Sequence, residues 1–280
     1  MVALDPRVNP FRPEIAARHL HGQVEAKRFA DGTLHLVVAP HAAIRREPSH
    51  EAGLDTEALL GDRFTVYETS DEGWAWGQLQ SDGYVGFIAA EALGRVGAAP
   101  THKVAVRLTL GFPGPDIKLP PLAALPFGAR ITVTRQDERF VVTESGLFLP
   151  SRHVVPAAAK ERDFVAVAEQ FLGAPYLWGG KTGDGIDCSG LVQVALQAAG
   201  VACPRDSDMQ EMAPGKPVSR AEMRRGDLVF WKGHVAIAHD PDTLLHANAH
   251  HMAVAIEPAD EAIARIKAAG SAVTSIKRVL

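Results

Sequence analysis

Cysteine is scarce in this chain. Only two, Cys188 and Cys203, occur among 280 residues, which excludes a disulfide scaffold as the source of stability. The two could pair with each other, but a cytoplasmic setting disfavours it, and Cys203-Pro204 reads as a structural position just past a helix. Basic excess is also missing: the formal net charge is −4 and no long run of Lys or Arg appears. Nucleic acid is therefore not an expected partner. No apolar run is long enough to span a membrane as a helix, so no membrane partner is expected. The first residues carry charges at Asp5 and Arg7 and no apolar stretch of the kind a secretory signal needs. With Met1 taken as the native start, a cytoplasmic location is expected. Apolar content is ordinary for globular proteins, and the length exceeds that of a typical single domain, so two or three domains are expected.

The stretch Asp187-Cys188-Ser189-Gly190 is the most informative part of what is present. Leu191, Val192, Ala195, Leu196 and Ala199 follow as one apolar helix face, and Gly200 stands where a helix ends. Cys188 then falls in the first turn. Unpaired backbone N–H groups and the positive end of the helix dipole favour a thiolate there. A small buried hydrophobe is the competing reading of such a cysteine, and a plain N-cap is that of Asp187.

The upstream half contains an internal repeat. Gly61-Asp62-Arg63-Phe64-Thr65-Val66 and Gly128-Ala129-Arg130-Ile131-Thr132-Val133 lie 67 residues apart, and each is followed by a polar turn, a short strand, a turn glycine and another strand. Short strands at this spacing predict two small β-barrels, over 40–98 and 99–155. Residues 1–39 read as a Pro-rich surface arm plus a strand at Leu34–Val38. The segment 111–128, with Pro113, Pro115, Pro120, Pro121 and Pro126, reads as an extended loop.

From about residue 156 the pattern changes. Phe164, Val167, Ala168, Phe171 and Leu172 form one face of a helix before Gly173, the Cys188 helix follows, and then a run of strands. Helices first and strands after predict an α+β domain with an antiparallel sheet over 156–280. Two histidines stand out. His234 opens the strand Val235–Ala238, and His246 ends Thr243-Leu244-Leu245 after the turn at Asp240-Pro241-Asp242. A hairpin with so short a loop sets them side by side. With Cys188 across from them they would supply nucleophile, base and orienting group. His250 or His251 could stand in for His246, but both lie farther from the hairpin turn.

These residues resemble a known family. Gly173-Ala174-Pro175-Tyr176-Leu177-Trp178-Gly179-Gly180, Asp187-Cys188-Ser189-Gly190-Leu191-Val192, Gly226-Asp227-Leu228-Val229-Phe230-Trp231, His234-Val235-Ala236-Ile237 and Leu245-His246-Ala247 look like the motifs of NlpC-type cell-wall cysteine peptidases. The upstream barrels resemble the bacterial SH3-like domains that precede this peptidase in one subgroup. The resemblance implies a multi-domain chain: two small all-β SH3-like barrels, then an α+β papain-like cysteine peptidase domain. It implies Cys188 as nucleophile, His234 as base and acid, His246 as the orienting third member, and Tyr176 as an aid to the oxyanion. No cofactor or metal is implied.

The subgroup resembles enzymes that cut peptidoglycan stem peptides between γ-D-Glu and a diamino acid, diaminopimelate or Lys, when the N-terminal L-Ala is free. On that resemblance Asp187, Ser189 and Ser207 are candidates to receive the substrate amine. Tyr84 of the first barrel would close the pocket, and Glu51 or Glu47 would add a carboxylate. A monomeric cytoplasmic enzyme of wall recycling is the expectation, with the stem peptide as its partner. Three rivals stand beside it: an inactive binder of wall fragments, an amidase or acyltransferase on the same core, and a zinc site of Cys188, His234 and His246.

Overall fold

The computed structural model describes residues 4–279. The chain divides into two compact units, residues 1–159 and 160–280.

In the first unit a seven-stranded antiparallel sheet is built from Thr33–Val37, His41–Arg45, Leu54–Leu59, Arg63–Thr69, Trp74–Leu79, Val85–Ala89 and Leu93–Gly94. Successive side chains alternate between the two faces, and along Trp74–Leu79 both faces are covered, Ala75 and Leu79 on one and Trp74 and Trp76 on the other. Val37, Ile44, Ala58, Phe64, Val66, Ala75, Leu79 and Ile88 close the core. The strand at 33–37 pairs with Arg63–Thr69 and with Leu93–Gly94, so the expected boundary at residue 39 is wrong. This strand is an integral part of the barrel, because without it Phe64 and Val66 would lie at an open edge.

The second repeat follows the same order. Strands His102–Val104, Leu108–Gly111, Ala123–Pro126, Arg130–Ile131 with Val133–Gln136, Phe140–Thr143, Phe148–Pro150 and Val154–Pro156 appear in sequence, with equivalent pairings. The matched glycines Gly61 and Gly128 share positive φ, at 82° and 84°, the conformation glycine adopts without strain. The expected loop over 111–128 is corrected in part. Its two ends form a hairpin in which Leu108 pairs with Pro126 and Gly111 with Ala123. Pro126 is accommodated because it ends a strand of a two-stranded ribbon.

The N-terminal arm has structure of its own. Phe11–Arg12, Ile15–Ala17 and Phe29–Ala30 form a three-stranded sheet. Ile15 packs with Trp74, Trp76 and Phe87, and the Arg12 guanidinium lies 5.0 Å from the Trp76 ring and 5.1 Å from that of Phe87, a cation–π arrangement.

The second unit holds α1 (Phe164–Glu169), α2 (Cys188–Ala198), α3 (Ser207–Met212) and α4 (Ala259–Ala268). Its sheet consists of β1 (Lys216–Pro217), β2 (Asp227–Trp231), β3 (His234–Ala238), β4 (Thr243–Asn248), β5 (Ala253–Pro258) and β6 (Val273–Arg278), in the spatial order β1-β6-β2-β3-β4-β5. All pairings in it are antiparallel. α4 packs on Val229, Trp231, Ala236, Ala238 and Leu244. Asp163 caps α1, accepting from the Val165 and Ala166 amides. Leu172, expected on the buried face of that helix, is instead exposed beyond its end, because α1 stops at Glu169 and the chain turns before Gly173.

Candidate active site

Asp187 caps α2 and fixes where Cys188 sits. Its carboxylate accepts from the Gly190 amide at 2.7 Å, as an N-cap does, and from the Gly179 amide at 2.8 Å. Arg205 closes the arrangement with bonds of 2.9 and 2.8 Å to the two carboxylate oxygens, and it is 1% exposed. The Ser189 hydroxyl donates to Asp187 at 3.3 Å and accepts from Arg205 at 2.9 Å. A buried two-point guanidinium–carboxylate pair thus anchors the helix start. Sequence reasoning gives Arg205 no role, since nothing local in the sequence indicates its partner.

Two glycine-bearing motifs meet here. A Cβ on Gly190 would lie 2.4 Å from the Gly180 carbonyl, and one on Gly180 would lie 2.3 Å from that of Gly185. Close backbone contact of this kind admits only glycine.

Cys188 is buried, and its sulfur receives the backbone N–H of Val235, the residue after His234. Burial pushes its thiol up to about 12, with the Asp187 charge adding to the effect. This reverses the expectation from the helix start. The helix terminus favours a thiolate, but desolvation in a closed interior outweighs it. Burial also takes His234 down to about 3, helped by neighbouring His246. Each charge alone is costly at this site, so the thiol stays protonated and the imidazole neutral over a wide pH range. A thiolate and an imidazolium formed together would neutralise each other.

The two histidines are brought together. His234 Nε2 lies 2.8 Å from His246 Nδ1, with ring centroids 5.1 Å apart. His250 and His251 are exposed and meet edge to face, and His251 bonds Asn248. Tyr176 is half-buried, and its phenol is pushed upward, first by burial and then by the nearby Cys188 and Asp187. It remains a hydrogen-bond donor at any ordinary pH. Sequence reasoning missed Glu257, whose carboxylate lies 2.7 Å from His246 Nε2 and is also bonded by Arg265.

The other candidates are placed as follows. Ser207 is the first residue of α3 and half-buried. In the first unit Tyr84 is buried, its amide held by Asp82 at 3.0 Å, while Glu47 and Glu51 lie exposed on a loop. The buried carboxylate of that barrel is Glu57, 2.8 Å from His41 Nδ1. The two cysteines form no disulfide. Cys188, His234 and His246 do not compose a ligand set, because the two imidazoles face each other nitrogen to nitrogen, and no cluster suited to a metal occurs among the described residues. No helix of the described residues is long and apolar enough to cross a membrane.

A cysteine opening a capped helix, beside an antiparallel sheet bearing a histidine pair, defines the papain-like class of cysteine-hydrolase domain. Residues 173–270 match the model of the NlpC/P60 family, and residues 44–93 match the bacterial dipeptidyl-peptidase SH3 domain. The chain therefore carries an NlpC/P60 domain over residues 173–270 and a bacterial SH3 domain over residues 44–93. Among relatives, a gamma-D-glutamyl-L-lysine dipeptidyl-peptidase of Bacillus cereus is 28% identical over 227 residues, 72% of this chain and 65% of that protein. One of the same name from Bacillus subtilis is 39% identical over 98 residues, 33% of this chain and 33% of that protein. The match thus spans just under two thirds of the first relative and a third of the second. A crystal structure of an NlpC/P60 family protein from Bacillus cereus superposes with a TM-score of 0.75 at 19% identity, covering 89% of this chain and 100% of that one. That likeness speaks for the fold.

Proposed function

We propose that this chain is a cysteine endopeptidase that hydrolyses the bond between γ-D-Glu and the diamino acid in peptidoglycan stem peptides carrying a free N-terminal L-Ala. The observation that carries the reading is the histidine pair beside the capped Cys188, joined in one chain to an SH3 domain of the dipeptidyl-peptidase type. Both relatives named above are gamma-D-glutamyl-L-lysine dipeptidyl-peptidases, which favours the same bond here. The second barrel-like repeat is read as a further SH3-like domain acting as a spacer.

The chemistry follows from the groups present. His234 takes the Cys188 proton as sulfur attacks the γ-carbonyl carbon of D-Glu. The oxygen gains negative charge and is held by backbone N–H groups at the start of α2 and by the Tyr176 hydroxyl. His234 then gives the proton to the departing amine of the diamino acid, the C–N bond breaks, and a thioester remains. Water attacks the thioester with His234 again accepting the proton. L-Ala-γ-D-Glu is released, and the thiol is restored.

Recognition of the free amine is assigned to Asp187, Ser189 and Ser207. Arg205 already balances Asp187, so the amine would meet oxygens of a neutral pair and bind by hydrogen bonds more than by net charge. A cytoplasmic role in wall recycling belongs to this reading, and cell fractionation tests it. The activity itself is tested by mass spectrometry of products from defined stem peptides. Release of L-Ala-γ-D-Glu from the free peptide, its loss on N-acetylation, and an inert Cys188→Ala control are expected. Digestion of intact sacculi with no action on free stem peptide would refute the specificity.

A further inference from the structure

Four charged or titratable side chains continue in a row from the candidate site, and the mechanism above uses only the first. His234 Nε2 lies 2.8 Å from His246 Nδ1, and His246 Nε2 lies 2.7 Å from Glu257 Oε1. The same Glu257 oxygen accepts from Arg265 of α4. The sheet makes this arrangement. Ala255 of β5 stands opposite His246 of β4, so Glu257, two residues on, shares its face and is its diagonal neighbour. His234, His246 and Glu257 lie on the face against which α4 packs, which is how Arg265 reaches them.

We propose that Glu257, held by Arg265, is a positioning residue that sets the order of protons along the two histidines and so leaves His234 Nδ1 as the acceptor for the Cys188 proton. This rests on the reading of Cys188 and His234 as a catalytic pair. The reasoning is one of donors and acceptors. An ionised carboxylate only accepts, so the ring nitrogen facing it, His246 Nε2, carries the hydrogen. His246 Nδ1 is then bare and accepts. His234 Nε2, facing it, carries a hydrogen and donates. His234 Nδ1 is left with a lone pair. One carboxylate thus fixes two tautomers, as partners behind a catalytic imidazole do elsewhere.

The electrostatics agree. Hydrogen bonds from His246 and Arg265 hold Glu257 down to about 2, so it is ionised throughout the working range. The charged groups bearing on His246 are Glu257, Arg265 and His251, and those bearing on His234 are His246, Arg265, Glu257 and Asp187. The Trp231 ring, 5.5 Å from His234, covers another side of that imidazole without adding a charge.

The test uses the full chain, labelled with nitrogen-15 histidine, and reads ring tautomers by NMR alongside steady-state kinetics. In the wild type both His246 and His234 are expected as Nε2–H tautomers. Glu257→Leu removes the acceptor, and His246 is expected to lose its single tautomer while kcat falls at least about tenfold with KM within about threefold. Glu257→Gln keeps an oxygen acceptor without the charge, and should retain the tautomers and lie between wild type and Glu257→Leu in kcat. The acid limbs separate a relay from mere support. Glu257 favours the imidazolium of His234 and Arg265 opposes it, so Glu257→Gln moves the acid limb of kcat/KM to lower pH and Arg265→Met moves it to higher pH. Unchanged tautomers with kcat within about twofold in Glu257→Leu would overturn the proposal. If that variant fails to fold, limbs that move together in Glu257→Gln and Arg265→Met do so instead. The expected tautomers and their loss, in a wild-type protein that cleaves no stem peptide, would leave the relay standing and remove the peptidase reading.

Discussion

Replacing Arg205 by Met is expected to unseat the start of α2 at a calculable cost. The substitution removes a guanidinium 1% exposed, two bonds to the Asp187 carboxylate, one to Ser189 Oγ and one of 3.3 Å to the Gly180 carbonyl. Breaking a buried ion pair by removing one partner costs about 3–5 kcal/mol, because the other charge stays buried. Asp187 would still accept from the Gly179 and Gly190 amides and the Ser189 hydroxyl. Those three donors blunt the penalty, so the low end, about 3 kcal/mol, is expected. For a domain of this size that lowers Tm by roughly 10 °C. Calorimetry of the full chain is the assay, with the two compact units treated as separate transitions and the second expected to move alone. Adding Asp187→Asn to Arg205→Met removes the stranded charge while keeping an oxygen to cap the helix, and should recover about 1–2 kcal/mol. A single variant within about 1 kcal/mol of wild type, or a double variant no more stable than the single, would refute the view that this pair anchors the helix.

Two further outcomes concern protons. Iodoacetamide should alkylate Cys188 at pH 6 in the wild type, since neutral His234 can take the thiol proton as the sulfur attacks. In His234→Ala the rate at pH 6 should fall more than about tenfold and climb only toward high pH, because burial holds the thiol up; peptide mapping against Cys203 reads this, and identical profiles for the two proteins would contradict the pairing. Stability should decline in acid. Burial takes His234 in the folded state from its ordinary 6.5 to about 3, so the unfolded chain binds more protons between those values and Tm drops as pH falls from about 6.5 toward 3. Glu257 adds loss in the same direction between 4.5 and about 2. His234→Gln should flatten the upper part of the decline, and a wild-type Tm constant from pH 7 to 4 would show the shift to be absent.

Much of the site was readable because it is encoded locally. An aspartate before an apolar helical stripe, closed by Gly200, announces a capped helix with Cys188 in its first turn. The three-residue turn at 240–242 between two apolar runs fixes a hairpin, and strand alternation then sets His234 and His246 on one face. The repeat was readable for the same reason, since turn glycines at 61 and 128 carry the same backbone demand. Other features could not be read. The strand at 33–37 belongs to the barrel only through its pairing with residues 63–66, and the 108–126 hairpin is hidden by prolines that suggest a loop.

Sequence alone therefore determined the repeat, the capped cysteine and the paired histidines, all of which depend on periodicity and short-range hydrogen bonding. Tertiary structure decided which charges meet and how dry the site is. Arg205 lies 18 residues beyond Asp187, and Glu257 reaches His246 only through the register of β5 on β4. The Cys188 thiol was read as lowered by its helix and is raised by its burial. A helix terminus is visible in a string of residues, but the low dielectric that opposes it arises only when distant segments close over the sulfur.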